Sequence, residues 1–335
     1  MKPLPWVAPL ALAAAAWAQV GEPPVAAPPL ASPVPQSAAP PPATAPTAAA
    51  PPPEGVPEVT VSAPQPRYVA PTQRDRIGRI WAPVYLDGQG PFRLVLDTGA
   101  NRSAIIGRVA DQLGYRGRTD RQVRIRGITG TAIVPVARAG RMEIGDLVLA
   151  PVDLPIVLDV FGGAEGVLGN EGLMDKRIVI DFKRDSITVK RSRREEAPAG
   201  FTTLPITFLR DRLLAIDVMI GGVKAKAIID TGAPDSLGNS ALLQALKRSV
   251  RDTPETEIVG VTLDVERGNR VRLPTIVMQN IRIRGATITF GDVQIWQYWR
   301  LTREPAIMLG MDVLGVLDQV IIDYRTRQLH LRTTT

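Results

Sequence analysis

The sequence predicts a mainly β protein of two similar lobes with short helices, on three observations. First, the chain repeats itself: "APVYLDGQGPFRLVLDTGANRSAI" (82–105) aligns with "LAIDVMIGGVKAKAIIDTGAPDSL" (214–237). Each copy reads as a strand, a Gly-containing tight turn, a second strand and then Asp-Thr-Gly-Ala. Second, "GVLGNEGLMDKRIVIDFKRDSITVK" (166–190) aligns with "IMLGMDVLGVLDQVIIDYRTRQLHL" (307–331), so the repeat covers whole lobes. Third, 335 residues suffice for two lobes of roughly 100–150 residues each. A duplication at this scale predicts two lobes rather than a solenoid.

From the N-terminus, "MKPLPWVAPLALAAAAWAQ" sets Lys2 before an apolar stretch that ends in Ala16-Trp17-Ala18, a secretory signal pattern over 1–18. The stretch is short for a membrane span. With one lysine and two early prolines, uncleaved anchoring stays open beside cleavage. No cysteine follows, which excludes a lipoprotein anchor. Residues 19–70 are mostly Pro and Ala, a composition that buries no core and predicts an extended tether. A periplasmic or secreted protein is expected, with no stable membrane span after signal cleavage.

The first lobe is expected over 71–192 and the second over 198–335. "AIIGRVADQLG" and "GNSALLQALKRSV" predict a short helix after each Asp-Thr-Gly-Ala, with Asn239 or Ser240 as N-cap of the second. Asp97 and Asp230 are 133 residues apart while Phe182 and Tyr324 are 142 apart, so the second copy carries nine extra residues. The long polar region around Val250 to Gln279 is their expected place. The densest basic run, "KRDSITVKRSRREE" (183–196), falls between the lobes and predicts a solvated face.

Composition removes several chemistries. Without cysteine there are no disulfides, thiolate nucleophiles or cysteine-ligated metals. The one histidine, His330, alternates with apolar residues in "RQLHLRTTT" and predicts a solvated strand position. A Ser-His-Asp triad or a histidine metal site would depend on that residue alone. No metal and no cofactor is expected. The net charge of +7 comes from bases scattered among acids, without an aromatic-interleaved basic groove, so no nucleic-acid partner is expected. Carboxylates, hydroxyls, amines and backbone remain.

Two Asp-Thr-Gly-Ala motifs after apolar strands, each followed by an apolar-apolar-Gly, resemble the aspartic peptidases. Each half is most similar to the retropepsin-type half-fold, in the order of bacterial members of that clan. The likeness runs from about Arg76 to Leu331. It implies two pepsin/retropepsin-like β-barrel lobes related by a pseudo-twofold axis, with Asp97 and Asp230 as the catalytic pair. Two carboxylates at close range share one proton. The ionised member then activates a water while the protonated one polarises the substrate carbonyl. The likeness further implies that Thr98 and Thr231 bond across the axis. Gly99 and Gly232 would admit close backbone approach, and Gly169 and Gly310 would leave room beneath the loops.

Ala100 and Ala233 stand where pepsin-like lobes carry a hydroxyl that favours the charged carboxylate, so a mildly acidic to neutral pH optimum is expected. Asn101-Arg102 against Pro234-Asp235 makes the two sides of the cleft unequal, with Asn101 and Asp235 as substrate-binding candidates. Ser103 and Ser236 read as structural. "VRIRGITGTAIVPV" predicts a glycine-rich flap whose Gly127, Ile128 and Gly130 would meet substrate; an ordinary surface hairpin is the alternative. Its counterpart "IVGVTLDVERGNRVRL" is longer and charged, and its closure on substrate is left open. Trp296, Tyr298 and Trp299 fit either a pocket wall or the core. The expected activity is that of a monomeric aspartic endopeptidase acting on peptide or protein substrates. The alternatives are a catalytically silent peptide-binding protein of the same fold and a tethered basic surface-binding protein.

Overall fold

The computed structural model describes residues 68–71, 79–115, 121–144, 147–210, 212–247 and 255–333. The expected signal peptide and all but the end of the tether lie outside the described residues. No helix among the described residues is long and apolar enough to cross a membrane.

The repeat becomes one strand order used twice. In the first lobe the strands pair in the sequence Gln122–Arg126, Thr131–Ala139, Val152–Val157, Ala104–Ile106, Gly166–Leu168, Gln89–Leu96, Trp81–Leu86, Met142–Ile144, Leu147–Leu149. The second lobe repeats it as Glu255–Val259, Val265–Arg272, Thr287–Phe290, Leu237–Gly238, Ala306–Leu309, Val223–Ile229, Leu213–Ile220, Ile276–Met278, Ile281–Ile283. Each is an open path rather than a closed barrel; the second adds Thr207–Leu209 beside Leu213–Ile220.

Alternation explains the outer strands. Trp81–Leu86 buries Ala82, Val84 and Leu86 and turns the intervening residues outward. Gln89–Leu96 begins that way and ends with Leu94, Val95 and Leu96 all buried, because a parallel neighbour, Gly166–Leu168, and core cover both faces. The continuous apolar run delivers Asp97 to the interior. The short helices Gly107–Gln112 and Ser240–Ala245 occupy matching places, and the side chain of Asn239 caps the second by accepting from Leu242 N.

A third sheet joins the lobes with three strands from each. Its order is Tyr68–Pro71, Ser186–Arg191, Lys176–Asp181, then Gln319–Asp323, Gln328–Arg332, Thr202–Pro205. Val179 faces Ile321 at its centre, where the two halves exchange equivalent strands.

Three expectations are corrected. Tyr68–Pro71 pairs with Ser186–Val189, so the first lobe begins inside the segment assigned to the tether. His330 is not solvated: its strand lies between Gln319–Asp323 and Thr202–Pro205, and it is fully buried with Nδ1 2.9 Å from Thr203 Oγ1. Burial holds its pKa below the ordinary histidine value. The basic run presents a solvated face as expected, with Arg184 77% and Arg191 60% exposed, while its Ser186–Arg191 stretch is a sheet strand and Lys183 reaches Asp318 of the other lobe at 2.9 Å.

The extra residues are also elsewhere. Ladder registers set Pro155 against Thr289, an offset of 134, and Leu168 against Leu309, an offset of 141. Seven of the nine therefore fall after Phe290, where they build the helix Gln294–Trp299. Polarity misplaced them, because this insertion is apolar: Ile295, Trp296 and Trp299 are core residues.

Candidate active site

Two equivalent turns meet at the centre of the molecule. Asp97 Oδ1 accepts hydrogen bonds from Gly99 N at 2.8 Å and Ala100 N at 2.9 Å. Asp230 Oδ1 accepts from Gly232 N and Ala233 N, both at 3.0 Å. Each aspartate amide donates to the strand behind it, Asp97 N to Leu168 O and Asp230 N to Leu309 O, both at 3.0 Å. Asp97 is 1% exposed and Asp230 fully buried.

The threonines tie the turns together. Thr98 Oγ1 donates to Ile229 O at 2.7 Å and accepts from Thr231 N at 3.1 Å. Thr231 Oγ1 donates to Leu96 O at 2.7 Å and accepts from Thr98 N at 3.2 Å. Four buried bonds thus fix the two carboxyl groups relative to each other. The glycines supply the space: a Cβ on Gly99 would lie 2.5 Å from Asp230 Oδ2, and one on Gly232 would lie 2.3 Å from Asp97 Cγ. Any other residue would push the opposite carboxyl away.

Below the turns, Gly169 lies against the Arg102 backbone and Gly310 against that of Asp235, each closer than a Cβ would allow. Ser103 Oγ accepts from Gly169 N at 3.0 Å and Ser236 Oγ from Gly310 N at 2.9 Å, a structural role for both hydroxyls. Sequence reasoning passed over the acids that complete this arrangement. Glu171 Oε1 accepts from Ser103 N at 2.5 Å, and Asp312 Oδ1 accepts from Ser236 Oγ at 2.6 Å. Their signal was present, since an acid stands two residues after the glycine in both "LGNE" and "LGMD". It also missed Asn170, whose Nδ2 donates to Thr98 O at 2.8 Å and whose Oδ1 accepts from Tyr324 Oη at 2.7 Å. That chain ties the first turn to the second lobe.

Burial disfavours charge on both aspartates, and they repel each other. Asp97 is pushed well above the usual carboxylate range by desolvation first and by the Asp230 charge second, against the two N–H donors. Desolvation raises Asp230 to about 6, held there by Gly232 and Ala233 N–H, a hydrogen bond from Asp97 and the Arg79 charge. The two carboxyl groups are within hydrogen-bonding reach of each other. Asp230 Oδ2 is buried and takes no hydrogen bond from an N–H or hydroxyl. The pair is a site that keeps one proton when an isolated aspartate would have lost it. Among the described residues, no group of three or more His, Asp or Glu side chains is arranged to hold a metal ion.

Two hairpins meet tip to tip. The first, Gln122–Arg126 with Thr131–Ala139, turns through Gly127 and Gly130 and is closed by Gly127 N to Gly130 O at 2.8 Å. The second, Glu255–Val259 with Val265–Arg272, meets it through Gly260 N to Thr129 Oγ1 at 3.1 Å. Ile128 is 1% exposed and packs among Leu237, Ile258 and Trp296 of the second lobe. Its carbonyl accepts from Ile295 N at 3.1 Å, so the inserted helix docks the first hairpin. Tyr298 of that helix takes Arg126 at 4.6 Å and Arg210 at 5.6 Å over its ring, while Trp296 and Trp299 are buried. Of the substrate-binding candidates, Ile128 and Asp235 line one small pocket and Asn101 lines a separate cavity.

A family model described as Aspartyl protease matches the chain twice, over residues 82–171 and 216–313, once in each lobe with one Asp-Thr-Gly-Ala turn in each match. Together the matches take in more than half of the sequence. No curated protein matches it.

Proposed function

The chain belongs to the aspartyl protease family, and from that premise we propose that it is an active aspartic endopeptidase cutting extended peptide or protein substrates. One observation carries the reading: two buried carboxyl groups, one per lobe, within reach of each other and held alike by paired backbone N–H donors. In the proposed mechanism the ionised member, Asp230, takes a proton from a water whose oxygen adds to the substrate carbonyl carbon. Asp97 gives its proton to the carbonyl oxygen. The C–N bond of the tetrahedral diol then breaks as the proton held by Asp230 passes to the leaving amine. The diol gives one proton back to Asp97, which restores the pair. Water is consumed and one acid and one amine are released.

Both aspartates belong to one chain, so the enzyme acts as a monomer. The signal-like N-terminus and the tether support work outside the cytoplasm, in the periplasm or medium. Neither turn carries a hydroxyl at Ala100 or Ala233, so the carboxyl groups keep their raised pKa values. As pH rises, kcat/KM should climb through about pH 6 and fall again once both groups ionise. A profile peaking at roughly pH 2–3 and gone by about pH 5 would overturn this reading of the pair.

The decisive experiment incubates denatured protein with wild type, Asp97→Asn and Asp230→Asn. Wild type should cleave, and each variant should lose about a thousandfold in kcat/KM, the middle of the range one acid–base group supplies. Equal behaviour of all three proteins would rule out catalysis and leave a peptide-binding protein.

A further inference from the structure

The fifth residue after each catalytic aspartate differs in sign: Arg102 in the first lobe, Asp235 in the second. Their surroundings extend the difference. Beside Asp235 lies Asp312, and the two acids repel each other. Beside Arg102 a cavity of about 710 Å³ opens, walled by residues 148–152 of the first lobe and by Arg210 and Arg212 of the second. Asn101 and Glu171 line the same space.

Of the acids of this cavity, Asp153 is ion-paired with Arg121 at 3.0 Å. Glu171 is held back from the opening: its Oε1 takes the Ser103 N–H, its Oε2 is buried with no hydrogen-bond partner among the described residues, and burial disfavours its charge. Arg102 is exposed, Arg212 half-buried, and neither is ion-paired within 4.0 Å among the described residues. Arg210 also lines the cavity, with its guanidinium over the Tyr298 ring. Arg102 from the first lobe and Arg212 from the second thus border one volume large enough for a side chain. Arginine presents its N–H donors as a planar fork that matches a carboxylate.

We infer that the cavity at the Arg102 end of the cleft is a carboxylate-binding subsite that selects substrates by a Glu or Asp side chain, or a free C-terminus, within a few residues of the scissile bond. The inference rests on the endopeptidase reading for its meaning but not for its test. At the matching place of the second lobe Asp235 stands where the first has Arg102 and repels the same group, so an acidic peptide binds in one direction.

The test is a peptide series, uncharged except for one Glu scanned along the positions flanking the scissile bond. Each peptide has a Gln control and is made as free acid and as amide. Binding is read by fluorescence anisotropy on the full-length Asp230→Asn protein, and cleavage is read separately on wild type. Glu at one position should improve Kd and kcat/KM about tenfold over Gln, as expected of charge-assisted hydrogen bonds. Arg102→Ala with Arg212→Ala should erase that ratio, and Arg102→Glu should reverse it toward Lys. A gain confined to free-acid peptides would assign the site to a chain terminus. Equal Glu and Gln affinities, or a preference surviving the double variant, would overturn the subsite. Binding discrimination without any cleavage would sustain the subsite and defeat the endopeptidase reading instead.

Discussion

The two lobes hold their aspartates alike and surround them differently. Nine strands pair in one order in each, and the turn amides of residues 99, 100, 232 and 233 meet the two carboxylates within 2.8–3.0 Å. Around this frame the repeat matches Asn170 with Met311, Phe182 with Tyr324 and Arg102 with Asp235, and the helix Gln294–Trp299 has no counterpart in the first lobe. Backbone geometry is duplicated around the two carboxyl groups. Side chains diverge where each lobe meets its hairpin or its neighbours.

The largest expected departure from symmetry with pH concerns the pair itself. Its folded-state pKa values are raised, so the native state holds a proton that the unfolded chain has released. Stability from the protonated pair is complete below pH 3.8, the ordinary aspartate value, and is lost as pH rises through about 6. Wild type should therefore weaken relative to Asp230→Asn across that window, by on the order of 3 kcal/mol at neutral pH. Denaturant melts at several pH values measure it. A difference that shrinks as pH rises would contradict the raised values.

Next in size is the hydrogen-bonded chain through Asn170. Asn170→Met copies the second lobe's residue into the first, leaving Thr98 O and Tyr324 Oη without their partner. A loss of about 2–3 kcal/mol is expected. Tyr324→Phe copies the first lobe's Phe182 and leaves only Asn170 Oδ1 unmet, for about 1 kcal/mol. If Tyr324→Phe costs more than Asn170→Met, the contact with Thr98 O is not the stronger link.

The smallest effect concerns the inserted helix. Burying Ile128 is worth about 1.5–3 kcal/mol to the closed tip, and Arg126 over Tyr298 adds about 0.5–1 kcal/mol. Tyr298→Ala should speed amide exchange at 127–130 about three- to tenfold and leave 260–264 nearly unchanged. An equal response of both tips would mean that the helix does not hold the first hairpin in particular.

Much of this was legible beforehand. The duplication, the two aspartates at the ends of apolar strands, the first hairpin and the Asn239 cap depend on patterns a few residues long. Four features were not legible. His330 sits on an alternating strand that would be half-solvated in a two-layer edge, but neighbours on both sides bury it. The insertion was sought among polar residues, though its Trp296 and Trp299 belong to the core. Tyr68–Pro71 continues a Pro-rich stretch yet completes a sheet. Glu171 and Asp312 carried a repeat signal too short to separate from a solvated acid.

By itself, then, the sequence determined the strand alternation, the turns and the repeat, because each follows from neighbouring residues and their backbone preferences. Tertiary structure alone decided further meetings: Asn170 with Tyr324, 154 residues apart, Lys183 with Asp318, 135 apart, and Ile128 with the inserted helix. Those contacts follow from ladder register and lobe packing, which bring together residues whose local sequences carry no trace of one another.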